Sequence, residues 1–159
     1  MTFRLQKTSP NFSLEALYPA LREPLKDILT IRAMDVFNAV CSTRQAKLPD
    51  PQCVPNAGSF FKNPIVSAEL EQILRQTFPH LVSYPAQTGM KLAAGWLIEQ
   101  AGFKGLFDEQ GVGCYAKQAL VVVNPSKVTG VNVLAFAQHV QQKVNEMFGV
   151  QLEIEPNIF

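Results

Sequence analysis

Asn56-Ala57-Gly58-Ser59-Phe60-Phe61-Lys62-Asn63-Pro64 puts a hydroxyl, an ammonium and a carboxamide in one short loop behind a small-residue turn. Glycine lets a backbone approach a ligand closely, Ser59 offers a hydroxyl at the bend, and Lys62 and Asn63 supply donors beyond it. The same stretch also reads as the start of a strand with Phe60 buried and Lys62 solvated. A second concentration of polar groups lies near the C-terminus. There Gln151, Glu153 and Glu155 alternate with Val150, Leu152 and Ile154, so a strand over 150–155 would carry two carboxylates on one face. Without further context these are two solvent-facing glutamates on an edge strand. Lys47, Asn63, Lys104 and Gln118 stand at the ends of predicted elements, where side chains can converge on a cleft; lysines in such places also simply solvate a surface.

Other chemistries find little support. His80 and His139 sit in no nucleophile motif and read as surface residues, which argues against a hydrolytic triad or a histidine metal site. Cys41, Cys53 and Cys114 are odd in number and widely separated, so neither a disulfide framework nor a metal site is expected. Gly111-Val112-Gly113-Cys114-Tyr115-Ala116 matches a dinucleotide fingerprint in form. It follows the polar run Asp108-Glu109-Gln110 and leads into a strand instead of opening a helix, so it reads as the start of a hairpin.

The elements that must position these groups follow from periodicity and punctuation. The 159 residues are 47% apolar and 17% charged, which suits a folded core, and the net charge of +1 leaves no broad basic field for nucleic acid or a membrane surface. The run Ala119-Leu120-Val121-Val122-Val123 is far shorter than the roughly 20 residues of a membrane span and reads as a buried strand. Met1-Thr2-Phe3-Arg4-Leu5 lacks an export signal, so a cytoplasmic address is expected. Thr2 to Gln6 reads as a strand and Ser9-Pro10-Asn11 as a turn. Leu14, Leu17, Leu21, Leu25 and Ile28 then recur at helical spacing, interrupted by Pro19 and Pro24. A helix is predicted from Met34 to Lys47 with Val36, Phe37, Val40 and Cys41 on its apolar face, ended by Leu48-Pro49-Asp50-Pro51, a candidate domain boundary. Ser67 can cap a helix with Leu70, Ile73, Leu74 and Phe78 on its apolar face, and Val82-Ser83-Tyr84 reads as a strand cut by Pro85. Lys91 to Ala101 reads as a helix closed by Gly102, followed by strands Val112 to Ala116 and Ala119 to Val123. A long helix through Val133, Ala137, Val140, Val144 and Phe148 is closed by Gly149. The mixture predicts an α+β class, a mixed sheet with helices packed on it.

Several stretches occur in order: Val36-Phe37-Asn38-Ala39-Val40-Cys41, Lys47-Leu48-Pro49-Asp50-Pro51, Ala57 to Pro64, Lys91-Leu92-Ala93-Ala94-Gly95-Trp96-Leu97-Ile98, Gln118-Ala119-Leu120-Val121 and Leu152-Glu153-Ile154-Glu155. As a set the chain resembles the UDP-N-acetylenolpyruvoylglucosamine reductase family. The resemblance implies an oxidoreductase of peptidoglycan precursor synthesis that uses FAD and NADPH to reduce the enolpyruvyl group of UDP-N-acetylglucosamine enolpyruvate. By the same resemblance Ser59 matches the serine that protonates the substrate carbon, and Glu155 the carboxylic acid near the enolpyruvyl group. Lys47, Asn63, Tyr84, Lys104 and Gln118 match the lining of the UDP-sugar pocket. A glutamate in that role needs to be protonated or strongly hydrogen-bonded, for which the like charge of Glu153 is one source. The family more often has proline between its two glutamates, whereas here Ile154 lies between them and Pro156 follows, so Glu153 and Glu155 both stay open as the acid.

Members of that family are longer than this chain, and their N-terminal half carries the flavin. The resemblance therefore implies that residues 1–47 are the trailing segment of the flavin domain with a linking helix, and that 48–159 form the UDP-sugar domain. Neither FAD nor NADPH is expected to bind this chain alone. The flavin domain would act in cis or in trans, and the isolated chain would be inactive. A stand-alone UDP-sugar binding module and an inactive truncated fragment are the alternatives.

Overall fold

Prolines cut the first part of the fold into short pieces. The computed structural model describes residues 13–158, so the predicted strand at Thr2–Gln6 and the turn at Ser9–Asn11 lie outside the described residues. Ser13 accepts the Glu15 N–H at 3.2 Å and starts a single 3-10 turn, Leu14–Ala16; Pro19 opens α1 (Pro19–Arg22), and a second 3-10 turn, Glu23–Leu25, follows around Pro24. Each proline lacks the N–H a continuing helix would need, so the leucine spacing yields turns rather than one helix. The helix α2 (Ala33–Lys47) is closed at its start by Asp35, which accepts the Arg32 N–H at 2.9 Å and pairs with the Arg32 guanidinium. Those hydrogen bonds hold the Asp35 carboxyl below its usual range.

The packed face of α2 is shifted from the predicted one: Val36, Val40 and Cys41 are half-buried, but the buried residue is Ala39 and Phe37 is exposed. Asp35, Asn38, Ala39 and Ser42 line a depression with Pro24, Leu25 and Ile28, and Leu25 and Ala39 are buried, whereas Phe37 and Met34 are exposed. The short turns reach only the side of the helix nearest them, so where they dock overrides the apolar stripe.

The chain separates into two compact units between Lys47 and Leu48. The second unit contains the strands β1 (Asn56–Ser59), β2 (Ile65–Val66), β3 (Ser83–Ala86), β4 (Gly89–Leu92), β5 (Gly113–Tyr115) and β6 (Gln118–Val123), with α3 (Ala68–Thr77), α4 (Ala94–Gln100) and α5 (Gly130–Phe148). The fold is α+β, and its strands form two three-stranded antiparallel sheets, ordered β1-β6-β5 and β2-β4-β3, rather than one mixed sheet. β6 is central and buried along most of its length because it is paired on both edges and α4 packs on it. Pro85 is tolerated in β3 because β3 is an edge strand.

Local signals set the other helices. Ser67 accepts the Leu70 N–H at 3.2 Å and caps α3, and Gly149 ends α5 in the left-handed region at φ 65°. Val140, Val144 and Phe148 bury one face of α5. Phe148 meets Phe78 at 4.9 Å and Trp96 at 6.0 Å between ring centroids, pairs worth about 0.5–1.5 kcal/mol each beyond area burial. His80 and His139 are both exposed, and His139 stands edge-on to Phe103 at 5.5 Å.

Three further predictions change. Lys91 and Leu92 belong to β4, not to a helix: Leu92 donates its N–H to the Pro64 carbonyl at 2.9 Å, and α4 begins only at Ala94. Distant ladder partners outweigh local helix propensity there. Ile73 is exposed on α3, while its neighbour Glu71 is buried. Residues 150–155 keep the alternation, with Val150 and Leu152 buried and Glu153 and Glu155 exposed, but form only a single bridge, Ile154 to Phe61.

The Gly111–Gly113 stretch leads into β5 as a hairpin. A Cβ on Gly113 would lie 2.3 Å from the Leu106 carbonyl and 2.7 Å from the Phe107 ring, so glycine here serves a close chain approach.

Candidate functional site

Gly58 decides how Ser59 is presented. Against β6, Asn56 pairs with Val123 and Ser59 with Val121, so β1 carries an extra residue and bulges. Gly58, at φ 75°, takes up the bulge, and its N–H donates to the Asn56 carboxamide oxygen at 2.9 Å. Ser59 is left exposed at the end of the strand, while Phe60 and Phe61 turn inward and bury. Burial of two phenylalanines, about 1.5–3 kcal/mol each, anchors the segment immediately after the exposed hydroxyl.

The C-terminal segment runs alongside. The Phe60 N–H donates to the Leu120 carbonyl at 2.9 Å, and the Phe60 carbonyl accepts the Glu155 N–H at 3.0 Å. The Lys62 N–H donates to the Glu153 carbonyl at 2.9 Å. Phe60 thus lies between β6 and Glu155, and Glu155 stands beside the residue that follows Ser59. The two glutamates differ in their partners. The Lys62 ammonium pairs with the Glu153 carboxylate, whereas the Glu155 carboxylate has no hydrogen-bond or ion-pair partner among the described residues. Glu153 is therefore not the bare like charge beside Glu155 that the sequence suggests.

Asn63 and Gln118 both meet the first turn of α4. The Ala94 N–H donates to the Asn63 Oδ1 at 2.9 Å, capping a helix whose own N-cap, Ala93, has no side-chain acceptor. Gln118, at the start of β6, accepts the Leu120 N–H on its Oε1 at 3.4 Å, and that oxygen lies against Gly95. Both carboxamide oxygens are occupied by main-chain donors, so the amide ends are the ones turned to other partners.

The remaining predicted residues lie elsewhere. Tyr84 is exposed on β3, opposite Lys91, which also pairs with Ile65, so the three form an exposed row across the second sheet. Lys104 pairs with Glu99 at 2.8 Å beyond the C-terminal end of α4. Lys47 ends α2 in the first unit. Sequence reading missed Glu71, whose Oε1 accepts from Arg75 Nε at 2.9 Å and Ser83 Oγ at 2.7 Å, tying α3 to β3. These bonds, the Ser83 one first, hold its carboxyl below the usual range. The Glu71–Arg75 spacing of four was the signal available. Burial pushes the Cys114 thiol up to about 12. Among the described residues no group of three or more His, Cys, Asp or Glu side chains could hold a metal, and no helix is long and apolar enough to cross a membrane.

With this geometry in place, residues 50–159 match the family described as UDP-N-acetylenolpyruvoylglucosamine reductase, C-terminal domain. The chain belongs to that family. It is similar to the UDP-N-acetylenolpyruvoylglucosamine reductase of Pseudomonas aeruginosa, 49% identical over 145 residues, covering 89% of this chain and 42% of the relative. The reductase of Shewanella oneidensis is 52% identical over 130 residues, covering 81% of this chain and 38% of the relative. That of Pseudomonas savastanoi pv. phaseolicola is 44% identical over 160 residues, covering 99% and 46%. The chain thus spans less than half the length of these reductases. The family match covers the serine loop, the α4 turn and the C-terminal segment together.

Proposed function

We propose that this chain is the substrate-binding and proton-donating part of a UDP-N-acetylenolpyruvoylglucosamine reductase, acting on UDP-N-acetylglucosamine enolpyruvate in peptidoglycan precursor synthesis. The observation that carries the reading is the main-chain hydrogen bond from Glu155 to Phe60, which brings the segment bearing Glu155, a carboxylate without a partner among the described residues, next to the residue that follows the exposed Ser59. At Gly113 the close approach of Leu106 and Phe107 accounts for the glycine without a dinucleotide. We assign the cofactors to a flavin domain in cis or in trans, where they supply a hydride to the enolpyruvyl β-carbon.

Hydride addition there leaves negative charge on the α-carbon and its carboxylate. The site then needs a proton donor at the α-carbon and groups that stabilise the enolate. Ser59 Oγ is the donor: a hydroxyl is a weak acid, but an ester-like enolate is a strong base. Glu155 is favoured over Glu153 as the neighbouring acid because Glu153 is engaged by Lys62. The Asn63 and Gln118 amides, with Lys104, suit a diphosphate bound without a metal cage, which needs donors and positive charge, and Tyr84 suits packing on the ligand.

Calorimetric titration with UDP-N-acetylglucosamine enolpyruvate tests the binding half. Saturable binding is expected to survive Ser59→Ala and to weaken in Lys104→Ala. NADPH oxidation is expected when a flavin domain of the family is added, and to be lost in Ser59→Ala and Glu155→Gln while Glu153→Gln retains it. A folded chain that neither binds this ligand nor supports NADPH oxidation with the added domain refutes the reading.

A further inference from the structure

Gly95 lies inside α4, and its φ is outside the left-handed range, so the backbone does not require glycine there. Glycine weakens a helix relative to alanine, which makes its use at this position something to explain. A Cβ built on Gly95 would lie 3.1 Å from Gln118 Oε1, 3.7 Å from Leu120 Cβ and 4.0 Å from Leu120 N. The two Leu120 contacts are ordinary. The carboxamide oxygen of Gln118 is the single tight contact, so the space that glycine leaves is filled by that group.

We propose that Gly95 is a positioning residue for Gln118, keeping clear the space in which the Gln118 carboxamide lies across the first turn of α4. Neither element can retreat to accommodate a methyl. β6 is paired on both edges, and α4 is pinned by Leu97 and Ile98, which have no exposed surface. The side chain is the part that yields, because its oxygen is held only by a 3.4 Å hydrogen bond from the Leu120 N–H, a long contact. With that oxygen taken by the main chain, Gln118 Nε2 is the end of the carboxamide left to donate. A methyl at position 95 would rotate the amide and remove that orientation. The inference rests on the reading that Gln118 lines the UDP-sugar pocket, and it adds the residue that sets how Gln118 lines it.

Stability and ligand contact should therefore respond to Gly95→Ala with opposite signs. Helix propensity favours alanine, so the unfolding midpoint should hold or rise, whereas a residue needed only for packing would lower it. The test uses Gly95→Ala, Gln118→Ala and the double variant. Side-chain amide signals of Gln118 in 15N correlation spectra, identified by their loss in Gln118→Ala, should shift in Gly95→Ala while main-chain signals of β1 and β5 stay in place. Affinity for UDP-N-acetylglucosamine enolpyruvate should fall about tenfold in Gly95→Ala, the scale of one lost hydrogen bond, and should fall no further when Gln118→Ala is added. Unmoved amide signals, a lowered midpoint, or losses that add in full across the double variant would each overturn the proposal. If the wild-type chain binds no UDP-sugar, the functional reading fails instead, and the amide signals still decide the role of Gly95.

Discussion

Replacing Asn63 with alanine removes the acceptor for the Ala94 N–H, which donates to Asn63 Oδ1 at 2.9 Å and belongs to a residue with no exposed surface. Loss of a helix cap costs about 1 kcal/mol, and leaving a buried donor unpaired costs about 1–3 kcal/mol. These describe the same missing bond and are not summed, so the expected loss is about 1–3 kcal/mol. For a unit of the size of Leu48–Phe159 each kcal/mol lowers Tm by about 4 °C. Asn63→Asp separates the cap from the ligand role. It keeps an acceptor oxygen and adds a negative charge at a helix start, so its stability should lie within about 0.5 kcal/mol of wild type or above it. The same change removes the amide donor and places a charge against an anionic diphosphate, so UDP-sugar affinity should drop. Urea unfolding followed by the fluorescence of Trp96, the single tryptophan and itself part of α4, reads the effect where it arises. An unchanged midpoint in Asn63→Ala, or an aspartate variant as unstable as the alanine variant, would refute the capping argument.

Two further outcomes follow from the other buried polar groups. Glu71 is held below its ordinary value of 4.5 by the Ser83 hydroxyl and then by Arg75, and a carboxyl depressed in the folded state contributes stability that is present above that value and lost as pH falls through the folded one. Wild type should therefore exceed Glu71→Gln in urea midpoint at neutral pH, with the margin closing on acidification below about 4.5; a margin that stays flat with pH would contradict this. Cys114 is buried, with its thiol pushed up to about 12, whereas Cys53 is exposed, so an aromatic disulfide reagent at mildly alkaline pH should label Cys53 in the native chain and Cys114 only on unfolding.

Much of the scaffold was legible because it is encoded within a turn or two of chain. Ser67 and Gly149 mark the ends of their helices through hydrogen bonding and backbone freedom that depend on nearby residues. The apolar run of β6, the spacing along α5 and the hairpin of β5 with β6 were readable for the same reason. The alternation over 150–155 gave the right burial and the wrong ladder: period two states which side chains turn inward, but not whether a neighbouring strand is there to pair. At the candidate site, the serine, amide and glutamate residues could be named from sequence, while their partners could not.

Sequence alone determined the α+β class, most element positions and which hydroxyl, amide, ammonium and carboxylate groups the chain offers. Only the tertiary structure decided that Lys91 and Leu92 join a sheet, that α2 packs through Ala39 instead of Phe37, and that Lys62 engages Glu153 while Glu155 has no side-chain partner among the described residues. It also decided that Asn63 caps α4 and that Gln118 lies over Gly95. The physical reason is separation along the chain. Caps and periodicity are local energies, whereas these contacts join residues tens of positions apart, and which of them form depends on how the whole core closes.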